Sequence, residues 1–145
     1  MNVMNLCQTI LLVEDDGDDQ EFFITALSGI TDPPLVLVAA NGKEAIDILE
    51  RSIVLPSMIF MDINMPIMDG IECLRYIMNE PLMKGIPVIV LSSESYYEEK
   101  ARNLGAVGFI KKQFSISDLR NNIERELYTP RQTEKYYEKK NQNNN

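Results

Sequence analysis

Met58-Ile59-Phe60-Met61-Asp62 is an apolar run that ends abruptly in a carboxylate. Four water-avoiding residues followed by one acid predict a buried parallel strand that delivers Asp62 to its C-terminal edge, where open α/β sheets place their ligands. The residues that follow, Ile63-Asn64-Met65-Pro66-Ile67-Met68-Asp69-Gly70, predict a loop. Asn64 tolerates irregular backbone, Pro66 removes a donor and fixes φ, and Asp69-Gly70 signals a turn before a helix. A strand thus hands its acid to a structured loop.

Working outward, four further apolar runs repeat the pattern. Thr9 to Val13 ends in Glu14-Asp15-Asp16-Gly17-Asp18-Asp19, where Asp18 or Asp19 suits the positive end of the next helix. Leu35 to Ala40 is broken by Asn41-Gly42, Pro87 to Leu91 finishes in Ser92-Ser93-Glu94-Ser95, and Val107 to Ile110 runs into Lys111-Lys112. Between them, apolar residues recur at helical spacing: Phe22, Phe23, Ala26, Leu27 and Ile30; Ala45, Ile46 and Leu49; Ile71, Leu74, Ile77 and Met78. Tyr97, Ala101 and Leu104 make only a thin stripe on a charged helix that Gly105 ends, which predicts light packing and mobility. A last helix carries Leu119, Ile123 and Leu127, with Ser117 as its expected cap.

Strands and helices alternating five times predict an α/β chain, a doubly wound five-stranded parallel sheet with helices on both faces. Every strand end then points the same way. Glu14, Asp15, Asp62, Ser92 and Lys112 should converge at one rim.

Composition bounds what that rim can do. The 145 residues, 45% hydrophobic, suffice for one core, read as a domain over 8–128 followed by a disordered polar tail over 129–145. A net charge of −8 argues against nucleic acid or an anionic membrane surface as partner, since both need clustered Lys and Arg. No apolar run approaches the roughly 20 residues of a membrane span, and Met1 to Gln8 lacks a basic start and an apolar signal core, so the expected location is cytoplasmic. Cys7 and Cys73 read as two reduced thiols. Histidine is absent, which excludes histidine triads, imidazole zinc sites and a histidine phosphocarrier.

Each rim residue alone has an ordinary reading: an acid at a strand end is often a cap or a solvated charge, a serine a cap, a lysine a surface residue. Their coincidence at the ends of one sheet favours a joint function, because three converging carboxylates repel one another unless a cation sits among them. Ligands rich in oxygen and free of sulfur and nitrogen point to Mg²⁺, which shares its shell with phosphate oxygens.

With these residues in order, the chain resembles the receiver domains of two-component response regulators, a flavodoxin-like fold. The resemblance rests on Glu14-Asp15 after Ile10 to Val13, on Met61-Asp62-Ile63-Asn64-Met65-Pro66 with Met68-Asp69-Gly70, on Leu91-Ser92-Ser93, and on Gly108-Phe109-Ile110-Lys111-Lys112. It covers roughly Thr9 to Tyr128. It implies that Asp62 is the phosphoacceptor, that Glu14, Asp15, Asp62 and the backbone carbonyl of Asn64 hold Mg²⁺, and that Ser92 and Lys112 hold the phosphoryl oxygens. It also implies a switch through Ser92 and Phe109, a phosphohistidine donor on a sensor histidine kinase or histidine phosphotransfer protein, and no enzymatic turnover of an external substrate. The residues after Tyr128 suggest a single-domain regulator, similar to the phytochrome-partner group, acting on a downstream protein that the sequence does not specify. Dimerisation on phosphorylation is left open.

Two other readings compete. An aspartyl-phosphate hydrolase would need an acid at Asn64, and a phosphorylation-independent docking module would need no intact site. One departure from the family stands out: Gln113 follows Lys112 where the family usually has proline, and a trans bond is expected there because a non-proline cis bond costs about 3–4 kcal/mol.

Overall fold

The apolar runs form five strands in the computed structural model, which describes residues 8–112 and 115–131. They are β1 (Thr9–Val13), β2 (Leu35–Ala39), β3 (Met58–Asp62), β4 (Val88–Ser92) and β5 (Gly108–Lys111), and they alternate with α1 (Gly17–Ser28), α2 (Gly42–Arg51), α3 (Gly70–Asn79), α4 (Tyr97–Leu104) and α5 (Ile116–Tyr128). All pairings are parallel, in the order β2-β1-β3-β4-β5. The order reverses between β1 and β3, and the C-terminal side of such a reversal is a natural ligand crevice.

β3 and β4 are buried throughout, as their unbroken apolar runs require. One face of the sheet packs Leu11, Val13, Ile59, Met61 and Val90 against Ile46, Leu74, Ile77 and Ala101. The other packs Ile10, Leu12, Phe60 and Leu91 against Phe23, Leu27, Leu119 and Ile123, with the Phe23 and Phe60 rings 5.1 Å apart. β2 is an edge strand, and there the apolar run does not mean burial: Leu35 and Leu37 are exposed.

Four helices are capped by side chains that accept the backbone N–H three residues on: Asp16, Asn41, Asp69 and Ser115. Ser115, not Ser117, caps α5. Its extended backbone stands outside the helix, and Asp118 completes a reciprocal capping box, whereas Ser117 lies within the first turn. α4 has no side-chain cap at Tyr96 and buries only Ala101 fully; Gly105 ends it at φ 116°, a conformation that favours glycine. With so few contacts, its amides near Ala101 to Leu104 are expected to exchange with solvent at least about tenfold faster than those of Leu74 to Ile77. Equal protection in the two helices would contradict this.

Beyond α5, the Thr129 hydroxyl donates to the Arg125 carbonyl at 2.5 Å, and Arg131 pairs with Glu126. The Cys7 thiol, the Lys112–Gln113 peptide bond and the tail over 132–145 lie outside the described residues. Among the described residues, no helix is long and apolar enough to cross a membrane.

Candidate functional site at the C-terminal rim of the sheet

Strand register brings the predicted residues together. Val13 pairs with Met61, so Glu14 emerges beside Asp62, and Asp62 pairs with Leu91, one residue before Ser92. Ser92 pairs with Lys111, and its carbonyl accepts the Lys112 N–H at 2.8 Å. The rim is therefore a product of parallel pairing, not of loop shape.

Glu14 is only 2% exposed and Asp62 7%. The Glu14 N–H donates to the Ala39 carbonyl at 2.9 Å, and its own carbonyl accepts from Gln20 Nε2 at 2.7 Å, so β2 and α1 hold it from two sides. Asp62 Oδ1 accepts the Ile63 N–H at 2.9 Å. One oxygen each from Glu14, Asp15 and Asp62 lie within 4.8 Å of one another. Opposite ligands of an octahedral ion bound at about 2.1 Å span roughly 4.2 Å, so small side-chain rotations would bring the three onto one small divalent cation.

Lys112 enters this cluster from the end of β5. Its ammonium hydrogen-bonds Glu14 and lies 3.2 Å from Asp19 Oδ2 and 3.3 Å from Asp62 Oδ1. Burial opposes its charge, but the Glu14 hydrogen bond and the surrounding carboxylates outweigh burial and hold its pKa above the usual lysine value. Burial pushes Glu14 up to about 8; the Lys112 hydrogen bond opposes the rise and contact with Asp62 adds to it. A proton on Glu14 and a charged Lys112 are compatible, since Lys112 also meets Asp19 and Asp62.

Ser92 is buried, and its hydroxyl is engaged with its own loop, accepting the Glu94 N–H at 3.1 Å. Phe109 is half-buried on β5 opposite Val90, on the sheet face that Val90 shares with Ser92 two residues on. Asn64 is exposed in the loop after β3.

Two features of the rim escape a reading of the sequence. Asp19 carries no signal beyond its place in an acidic helix start, and only the packing of α1 against α5 on one face of the sheet brings it to Lys112. Gly70 is readable as a turn residue, but its close approach is not: a Cβ there would lie 2.1 Å from the Asp62 carbonyl oxygen and 2.9 Å from Ile63 Cα.

The connecting loop also holds strain. Met68 N–H donates to the Pro66 carbonyl at 2.8 Å across Ile67, whose φ is 70°. This is a three-residue turn of the rarer, positive-φ hand, occupied by a β-branched residue that is 77% exposed. Ile67→Gly is expected to stabilise the fold by about 1 kcal/mol, raising the melting temperature by roughly 3 °C, because relief of strain exceeds the added chain entropy. An unchanged or lower melting temperature would show that the turn is not strained.

Comparison with known proteins places the chain in a family. The family model of the response regulator receiver domain matches residues 10–124. The phosphorylated cyanobacterial phytochrome response regulator RcpA is 31% identical, with a TM-score of 0.74 over 82% of this chain and 92% of that one. The bacteriophytochrome response regulator AtBRR is 30% identical, with a TM-score of 0.71 over 81% and 91%. A protein-glutamate methylesterase/protein-glutamine glutaminase of Saccharophagus degradans is 41% identical over 106 residues, covering 68% of this chain and 28% of its own length. The chain thus spans about a third or less of the curated relatives it matches. The family match takes in β1 from Ile10 and the other four strands whole, with the carboxylates and lysine at their ends: the chain belongs to the response regulator receiver domain family.

Proposed function

We propose that this chain is a phosphoryl-accepting switch of two-component signalling, acting in the cytoplasm. The observation that carries the reading is the Lys112 ammonium 3.3 Å from Asp62 Oδ1, beside three carboxylate oxygens within 4.8 Å of one another. An Asp62 oxygen attacks the phosphorus of a phosphohistidine on a sensor histidine kinase or a histidine phosphotransfer protein. The new O–P bond forms as the N–P bond breaks, and its electron pair stays with the departing imidazole.

Glu14, Asp15, Asp62 and the Asn64 carbonyl would hold Mg²⁺, which when bound supplies positive charge against the phosphoryl oxygens and the acid cluster. Lys112 shares that task through its N–H groups. Ser92 turns its hydroxyl from Glu94 to the phosphoryl group, and Phe109 follows into the space released, changing the face formed by α4, β5 and α5. That face meets the downstream protein.

Intact mass after incubation with Mg²⁺ and acetyl phosphate tests the reading. One added phosphoryl group per chain, absent when a chelator is present, is expected. No addition to the folded protein would leave a docking module as the better description.

Glu14 also sets a pH dependence. A carboxyl with a pKa near 8 binds a proton that Mg²⁺ must displace, so apparent Mg²⁺ affinity should rise with pH through the 7–8 range, by up to roughly tenfold per unit. Folding without metal follows the opposite sign: the stability that protonated Glu14 contributes is full below its ordinary 4.5 and is lost as pH rises through about 8. Calorimetric Mg²⁺ titrations in buffers of different ionisation enthalpy would read the released proton. A pH-independent affinity with no proton release would contradict it.

A further inference from the structure

We propose that Asp19 is a positioning residue for Lys112, competing with the phosphoryl site for the ammonium and so slowing phosphoryl uptake at Asp62. The proposal rests on the phosphoacceptor reading above. Asp19 Oδ2 lies 3.2 Å from Lys112 Nζ, a contact across 93 residues of chain. Its place in the first turn of α1 is fixed, because its backbone N–H donates to the capping carboxylate of Asp16 at 2.9 Å.

An ammonium has three N–H groups, and Lys112 faces three carboxylates: Glu14, Asp19 and Asp62. Glu14 and Asp62 are buried and stand with Asp15 in the candidate metal cluster. Asp19 is different: its side chain is 52% exposed, and its carboxylate is not one of the three that could share an ion. It serves neither the core nor the cluster, yet it takes one face of the cation that the phosphoryl group needs.

Two consequences have the same sign. An N–H directed at Asp19 is not directed at an incoming phosphoryl oxygen. The Asp19 charge also repels an anionic donor. A unit charge some 6 Å away at a partly solvated rim alters such a rate by about fivefold.

The test compares wild type, Asp19→Asn and Asp19→Glu for phosphoryl uptake from acetyl phosphate with Mg²⁺, at low and at high salt. Asp19→Asn is expected to take up phosphoryl about fivefold faster at low salt, with the gap closing at about 1 M salt, while Asp19→Glu restores the wild-type rate. A second measurement needs neither metal nor phosphoryl transfer: acylation of Lys112 by acetic anhydride, followed by peptide mass, should be faster in folded Asp19→Asn than in wild type. Slower or unchanged uptake in Asp19→Asn overturns the proposal. If wild type itself takes up no phosphoryl group, the phosphoacceptor reading fails separately, and equal Lys112 acylation in the two proteins overturns the role of Asp19.

Discussion

Asp62→Asn is expected to lower phosphoryl uptake by about a thousandfold or more while leaving the chain folded. The amide keeps the shape of the side chain and can still accept the Ile63 N–H that Asp62 Oδ1 accepts at 2.9 Å, so the loop has no reason to move. What it loses is the nucleophile. The same change should stabilise the metal-free protein by about 1 kcal/mol, because Asp62 is one of three carboxylates held within 4.8 Å, and Lys112 keeps Glu14 and Asp19 as partners. Mg²⁺ should then stabilise the variant much less than the wild type. Intact mass and urea unfolding with and without Mg²⁺ read all three effects. Wild-type uptake in the variant would place the acceptor elsewhere, and a marked loss of stability would show that the Asp62–Lys112 contact outweighs the repulsion among the acids.

Gly70→Ala should destabilise the fold by about 3 kcal/mol and impair uptake with it. The added methyl meets backbone on all three nearest contacts: the Asp62 carbonyl oxygen at 2.1 Å, Ile63 Cα at 2.9 Å and the Asp62 carbonyl carbon at 3.0 Å. No rotamer change can relieve a clash with main chain, so either α3 or the end of β3 must shift. The Gly70 N–H bond to the Ile63 carbonyl, 2.8 Å long, ties the two together and would stretch or break. A shift at the end of β3 displaces Asp62, the proposed phosphoacceptor. A loss under 1 kcal/mol with normal uptake would mean that the loop yields more easily than its geometry indicates.

The strand-end chemistry was legible because parallel strands leave little freedom: an apolar run that stops in Glu14 or Asp62 must place that acid at the rim. Lys112 followed from the same rule. Asp19 did not, since its contact with Lys112 depends on how α1 packs against α5, and no local pattern encodes that distance. The cap of α5 was a different kind of miss. Ser115 and Asp118 stand three apart, the spacing of a capping box, so the sequence carries the signal, while Ser117 offers a competing hydroxyl two residues on. In β2 the run Leu35 to Ala39 is apolar at every position and carries no alternation to read, so the exposure of Leu35 and Leu37 follows only from the strand order, which no single strand reveals and which leaves β2 at the edge. The left-handed turn at Ile67 lay beyond sequence reading because β-branched residues argue against it.

The order of elements along the chain also dictates when charge balance arrives as it emerges from a ribosome. Glu14, Asp15, Asp19 and Asp62 have all been synthesised before Lys112, which joins Glu14 across 98 residues. A nascent chain ending after β4 would have to gather its acids with no ammonium between them, and Coulomb repulsion would work against closing β1 onto β3. Docking of the last strand is therefore expected to supply the positive charge that steadies the acid cluster. Partial products should stay open until β5 docks, or until a divalent cation substitutes for the lysine.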